Sequence, residues 1–261
     1  MTDSIFRFSS RVDDYIKYRP GYPQEVIKLL ASECGLTADS VVADVGSGTG
    51  ILSELFLRYV KKVYGIEPNR EMRIAAERLL KDYANFQSID GKAEATTLAK
   101  SNVDFVTAAQ AFHWFDQPKA RQEFASILKP DGWAVLIWNE RRLDSTPFLR
   151  AYEELLLEFG TDYEQVRHEN VERDIASFFA PEAVKLAAFE NLQEFGFIGL
   201  QGRLLSSSYT PAPEDRRYQP MLAKLREIFS THQKNDQVIV EYVTKVYYGL
   251  LRPIAIESSS G

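Results

Sequence analysis

The 261-residue sequence contains a single cysteine and only three histidines. One thiol, Cys34, excludes an internal disulfide framework, and three scattered histidines beside it make no metal-ligand cluster, so no metal is expected. No apolar run approaches the roughly 18 residues of a membrane-spanning helix. Near the start, Asp3, Arg7, Arg11, Asp13 and Asp14 break up any stretch that could read as a secretion signal. The expectation is therefore a cytoplasmic protein with no membrane partner. Positive charge is not in excess either: Lys and Arg number 31 against 37 Asp and Glu, a formal net charge of −6. That balance argues against a surface that tracks phosphates, so nucleic acid is not the expected substrate. No internal repeat is visible, and 45% hydrophobic residues in a chain of this length can bury a large core as one unit. Ile254 to Gly261 has little to bury and is expected to fray.

What the sequence does contain is concentrated around residues 41–67. Val41 to Val45 is a β-branched run that ends at Gly46, Gly48 and Gly50, and from Ile51 the apolar positions Leu52, Leu55, Phe56 and Tyr59 recur at helical intervals. The unit reads as strand, glycine turn, helix. Glycines let backbone N–H groups approach a ligand closely, and a helix N-terminus favours a negatively charged group such as a carboxylate. A second apolar run, Val63 to Ile66, closes on Glu67, whose carboxylate suits the paired hydroxyls of a ribose. The nicotinamide fingerprint is G-x-G-x-x-G, whereas this loop is G-x-G-x-G with Asp44 two residues before its first glycine. Asp44 is placed to brace the loop amides and to meet an ammonium.

These residues resemble motif I of the class I methyltransferases that use S-adenosylmethionine, and the likeness continues downstream. Pro68-Asn69 follows Glu67, then a helix with the apolar face Met72, Ala75, Ala76, Leu79, Leu80 and Tyr83. Phe86 to Ile89 reads as a third strand. The segment Asp90-Gly91-Lys92-Ala93-Glu94 resembles the family's adenine-binding segment, with Lys92 where many relatives have an acid, leaving Asp90 or the backbone around Ala93 to meet the adenine amino group. Val103 to Ala108 is a fourth strand, followed by Gln110-Ala111-Phe112-His113-Trp114-Phe115 at the edge where α/β sheets bind ligands. Lys129-Pro130-Asp131-Gly132 has turn chemistry ahead of a fifth strand, Trp133 to Trp138. Within the family, Phe8-Ser9-Ser10 through Tyr15, Tyr18-Arg19-Pro20-Gly21-Tyr22-Pro23, AQAFHWFD and Gly202 to Tyr209 are similar to the type 11 small-molecule enzymes related to trans-aconitate methyltransferase.

The resemblance implies a Rossmann-like α/β fold: a seven-stranded mixed sheet of order 3-2-1-4-5-7-6, strand 7 antiparallel, with helices on both faces and a helical cap. Lid helices are expected over residues 1–35, a cofactor-binding core over 36–140, a cap insertion over 141–181, C-terminal strands and helices over 182–253 and a flexible tail over 254–261. It implies S-adenosylmethionine as cofactor, held by Tyr18, Arg19, Asp44, Gly46, Ser47, Gly48, Gly50, Glu67, Pro68, Asn69, Met72, Asp90, Ala93, Glu94, Gln110, Ala111 and Phe112. In the insertion, helical spacing at Phe148, Tyr152, Leu155, Leu156 and Phe159 gives way to charged, irregular sequence over Tyr163 to Asp174. A strand over Val184 to Phe197, a small helix over Ile198 to Leu205, a helix from Pro213 to His232 and a strand from Val238 to Leu251 complete the reading.

The expected chemistry is methyl transfer to a small molecule, foremost to a carboxylate oxygen, with a phenol, amine or thiol as the competing acceptor. A carboxylate is already ionised at neutral pH, whereas a phenol benefits from proton removal. His113 is a candidate base, a donor that orients the substrate, or a structural histidine. Trp114 and Phe112 are candidates to face the methyl-sulfonium or to form pocket wall. Arg19, Arg141, Arg142 and Arg203 are the candidates to pair with a substrate carboxylate. A catalytically silent cofactor-binding protein and a nicotinamide oxidoreductase are the rival classes, and monomer and homodimer are both open.

Overall fold

β1 (Val41–Val45) has parallel partners on both sides, β2 (Lys62–Ile66) and β4 (Val103–Ala109), which is why its residues are almost all apolar and buried. The computed structural model describes residues 16–161, 163, 171–207 and 209–252. The sequence features at Phe8–Tyr15, at Ser208 and in the 254–261 tail lie outside the described residues. Around β1, the strands β3 (Phe86–Ile89), β5 (Leu128–Arg141), β6 (Lys185–Phe195) and β7 (Val238–Leu250) complete a seven-stranded sheet of order β3-β2-β1-β4-β5-β7-β6, as expected. The helices in chain order are α1 (Glu25–Cys34), α2 (Ile51–Leu57), α3 (Arg70–Leu79), α4 (Gln117–Ile127), α5 (Pro147–Phe159), α6 (Val171–Phe179), α7 (Phe197–Leu205) and α8 (Tyr218–His232). No helix among the described residues is long and apolar enough to cross a membrane.

By contact the described residues divide into two units. The first takes in Gln24–Trp138 and the described parts of Asn170–Ala187 and Val246–Gly261. Its core gathers Val45, Ile66, Val106, Phe124, Trp138, Phe178, Phe179 and Tyr247. Inside it Arg121, a buried cation on α4, donates to three carbonyls: Nε to Phe178 at 2.8 Å, Nη2 to Ala180 at 2.8 Å and Nη1 to Arg252 at 3.3 Å. A buried guanidinium is tolerated when its fork is filled in this way. The second unit comprises the described residues of Met1–Pro23, Asn139–Glu169 and Ala188–Lys245. There α5 and α8 pack on each other, with Leu149, Leu156, Met221, Leu225 and Tyr242 in the core. Thr146 caps α5 by accepting from the Leu149 amide at 3.1 Å.

Several sequence expectations are corrected. The LKPDG segment lies inside β5: Val103 pairs with Leu128 and Phe105 with Trp133, so five positions on β5 answer two on β4. The turn chemistry is spent on a bulge. α8 starts at Tyr218 because Pro220 is tolerated only in a first turn, and Asp215 folds the chain before it by accepting from the Arg217 amide at 2.8 Å. The stretch 171–174, expected to be irregular, opens α6, whose Ile175, Phe178 and Phe179 share one buried face. Leu79 faces solvent, and Tyr59 falls beyond the end of α2, exposed, with its hydroxyl donating to Gln24.

Replacing Arg121 by Met leaves the Phe178 and Ala180 carbonyls without their donor. The expected loss is about 3 kcal/mol in denaturant unfolding. Arg58→Met, which removes only an exposed pair with Glu54 and an exposed hydrogen bond to the Tyr83 hydroxyl, is expected to change stability by less than about 0.5 kcal/mol, and equal effects would refute the buried-fork account.

Candidate functional site

The loop between β1 and α2 is shaped by amides that the sheet no longer pairs. Gly46 and Ser47 both donate to the Ile66 carbonyl, at 2.8 and 3.1 Å, which turns the chain back across the end of β2. Gly46 adopts φ +70°, and a Cβ built there would lie 2.6 Å from the Ala111 Cβ, so no larger residue fits. Gly48, at φ +55°, is different: a Cβ there would meet nothing within 4 Å. Its outer side is open space bordered by backbone. Thr49 is buried, and its hydroxyl oxygen has no hydrogen-bond partner among the described residues.

Glu67 ties this loop to the end of β2. One carboxylate oxygen accepts from the Gly48 amide at 3.0 Å and the other from the Asn69 amide at 2.8 Å. Each oxygen keeps acceptor capacity beyond these bonds. Burial raises the Glu67 pKa, while the Asn69 and Gly48 amides and Arg73 pull it back. Asn69 caps α3, accepting from the Met72 amide at 3.1 Å, and Asn69 and Met72 are both buried. Pro68 and Ser47 are half-buried beside them.

Asp44 does not brace the loop amides as expected; Glu67 and the Ile66 carbonyl do. Strand alternation turns Asp44 toward the position paired with Thr107 on β4, and its carboxylate accepts from Ser53 on α2 at 2.6 Å and from Thr107 at 3.3 Å. Burial pushes its pKa up to about 6 against those two hydrogen bonds. Ser53 and Thr107 were missed in the sequence. The available signal was one hydroxyl on each of two otherwise apolar buried faces, Leu52 to Leu57 and Val103 to Ala109.

Arg73, also missed, donates to the Glu67 carbonyl and to the Asp90 carboxylate, each at 2.7 Å. The Asp90 carboxylate is thus already paired, though its side chain is exposed. Lys92 is exposed, and a bridge between Lys92 and Ala95 encloses buried Ala93 and Glu94. Glu94 accepts from the Asp116 amide at 2.8 Å and so anchors the N-terminus of α4.

After β4 the chain passes through Gln110 at φ +55°, an uncommon conformation for a residue with a side chain and one associated with functional sites. The Gln110 amide donates to Ile137 at 3.0 Å, buried Ala111 touches the Gly46 position, and Phe112–Trp114 forms a 3-10 turn. The Phe112 ring is 1% exposed and packs edge-on to Phe115, Trp138 and Phe178. It belongs to the core of the first unit. His113 is half-buried, its ring 4.7 Å from that of exposed Trp114. Tyr18 and Arg19 are placed in the second unit: the Tyr18 ring lies against Gly202 of α7, and Arg19 donates to the Ser206 carbonyl at 2.9 Å. No group of side chains suited to a metal ion occurs among the described residues.

Residues 43–136, which carry this loop and both acidic residues, match the family model described as Methyltransferase domain. Residues 43–136 are thus a methyltransferase domain, of the kind that draws on S-adenosylmethionine. An uncharacterized methyltransferase of Schizosaccharomyces pombe is 29% identical over 258 residues, 95% of this chain and 98% of its own. Another, from Mycobacterium tuberculosis, is 34% identical over 139 residues, 53% of this chain and 54% of its own, so that match spans about half of the relative. Among solved structures, a protein from Anaeromyxobacter dehalogenans assigned to the type II methyltransferases shares the fold, with TM-score 0.66 and 19% identity over 91% of this chain and 100% of its own. The donor set of this methyltransferase fits its cofactor: open space at Gly48, the unspent Thr49 hydroxyl, and acceptor capacity left on Glu67.

Gly48→Ala is expected to fold with a loss of about 1–2 kcal/mol from its positive φ and to weaken S-adenosylhomocysteine binding at least tenfold, as read by calorimetry. Gly46→Ala is expected to lose stability more heavily through the Ala111 clash; identical behaviour of the two variants would count against the open-cradle account. Because the folded protein raises the Asp44 pKa, it holds that proton more tightly than the unfolded chain. Asp44 therefore removes stability as pH rises from about 4 through about 6. Asp44→Asn is expected to gain stability relative to the parent over that window, by up to about 3 kcal/mol, and to show no further gain above it. A difference that is flat with pH would show that the burial effect is absent.

Proposed function

We propose that this methyltransferase transfers the methyl group of S-adenosylmethionine to a carboxylate oxygen of a small organic acid. The observation that carries the acid is a charge imbalance inside the second unit. Arg141 and Arg203 are buried there, and Glu153 is the one buried carboxylate of that unit among the described residues. A surplus of buried guanidinium suits an anionic ligand. The likeness of the AQAFHWFD and Gly202 to Tyr209 segments to the trans-aconitate methyltransferase group supports the same class.

The cofactor supplies an electrophilic methyl group on a sulfonium. Its transfer to a carboxylate oxygen would leave an ester, with S-adenosylhomocysteine carrying away the electron pair of the broken carbon–sulfur bond. No proton needs to move, so the protein's work is positioning and exclusion of water. In this reading Glu67 accepts from the ribose hydroxyls, Asp44 faces the ammonium, and the amides at Gly46 to Gly50 line the loop. Ser47, Pro68, Met72, Ala93 and Gln110 would border the nucleoside, and His113 and Trp114 would act at the transferred methyl group.

The test is transfer of labelled methyl groups to a panel of small acids, phenols, amines and thiols, followed by mild alkali. Base-labile label on an acid is expected. Base-stable label on a phenol or amine, lost in His113→Ala, would replace the carboxylate reading with base-assisted transfer.

A further inference from the structure

The two buried arginines of the second unit are not equivalent. Arg141 is neutralised: its Nη2 donates to the Glu153 carboxylate and, at 2.9 Å, to the Tyr163 hydroxyl, and Tyr163 in turn donates to Glu153 at 2.6 Å. Arg203, on α7, makes no ion pair among the described residues. Its Nε donates to the Tyr242 hydroxyl at 3.1 Å and its Nη1 to the Ser207 hydroxyl at 3.1 Å. Tyr242 is itself oriented, donating to Gln193 at 2.9 Å, and Gln193 donates to the Tyr18 carbonyl at 3.2 Å. The guanidinium is thus held on two of its edges, while Nη2 has no hydrogen-bond partner among the described residues.

Tyr152 of α5 packs against Arg141 and lies within the field of the Arg203 charge. Its ring lies 5.1 Å from the Arg141 guanidinium carbon, it is 3% exposed, and its hydroxyl forms no hydrogen bond among the described residues. Burial raises its pKa well above the usual phenol value despite the pull of Arg203 and Arg141, so it remains a neutral donor. A buried cation without an anion is unfavourable alone, and a phenol hydroxyl beside it without a protein partner is left to donate to a ligand. One ligand that is anionic and accepts hydrogen bonds on two oxygens suits both groups.

We infer that Arg203 Nη2 and the Tyr152 hydroxyl form a seat for a carboxylate of the methyl acceptor. This inference rests on the acid-acceptor reading above and assigns that recognition to two residues. Arg141, already occupied by Glu153, frames the seat without binding the ligand. Guanidinium geometry distinguishes the site from a general positive field: a lysine at 203 keeps charge and loses the fork.

The test is calorimetric titration of the full chain saturated with S-adenosylhomocysteine, using benzoate, phenylacetate, succinate and glutarate, each against its amide. At least one acid is expected to bind in preference to its amide. Tyr152→Phe and Arg203→Lys are each expected to weaken that acid tenfold or more while leaving S-adenosylhomocysteine affinity within twofold. Equal binding of acids and amides, or variants that bind the acid as the parent does, would overturn the assignment. If Arg203→Lys fails to fold, Tyr152→Phe decides alone, since it removes one oxygen and keeps the ring. Should acid binding depend on both residues while label goes to a phenol or amine, the carboxylate-methylation reading fails and the seat stands. Should esters form with parent KM in both variants, the seat fails and that reading stands.

Discussion

Where β1 and β2 end, the backbone has amides that the sheet cannot pair, and a single carboxylate takes two of them. Glu67 accepts from Gly48 on the loop after β1 and from Asn69 at the cap of α3, so the two crossover connections are fixed to each other through one side chain. The Ile66 carbonyl completes the tie by receiving Gly46 and Ser47. The glycine loop is consequently built before any ligand arrives. Its open face at Gly48 is a property of backbone geometry, and Glu67 serves both as a structural clamp and as an acceptor.

Electrostatics divide the buried charged residues into those that are compensated and those that are not. Asp44 accepts from two hydroxyls, and burial still raises its pKa. Arg203 is the mirror case in the second unit, a buried cation held by neutral hydroxyls. Arg121 and Arg141 show what compensation looks like: three carbonyls fill one fork, and a carboxylate fills the other. The contrast between these arginines says more about function than their number does.

Much of the frame was legible in the sequence because periodicity and glycine spacing act locally. The β1 loop, α3 and the strand order followed from short apolar runs and from family resemblance. What was not legible depends on partners distant in the chain. Nothing near Asp44 announces that Thr107, 63 residues on, will hold it. Phe112 could be read as ligand-facing or as wall from its place after a strand, and only Trp138 and Phe178, distant in the chain, show how its ring is packed. The LKPDG segment carried authentic turn chemistry, and only pairing with β4 showed that it makes a bulge within a strand. The absence of a side chain at Gly202 likewise gave no hint of what it accommodates.

That accommodation binds two distant positions into one heritable choice. A Cβ at Gly202 would fall 2.0 Å from the Tyr18 ring, so α7 can carry a larger residue there only if position 18 shrinks or its ring swings away. A lone substitution at 202 displaces an aromatic that caps the second unit's core, and a lone truncation at 18 opens a void over a bare helix backbone. Lineages descended from this chain are therefore expected to change 18 and 202 together or not at all, which makes the pair a marker for tracing how the segment before β1 and the segment after β6 have been inherited as one piece.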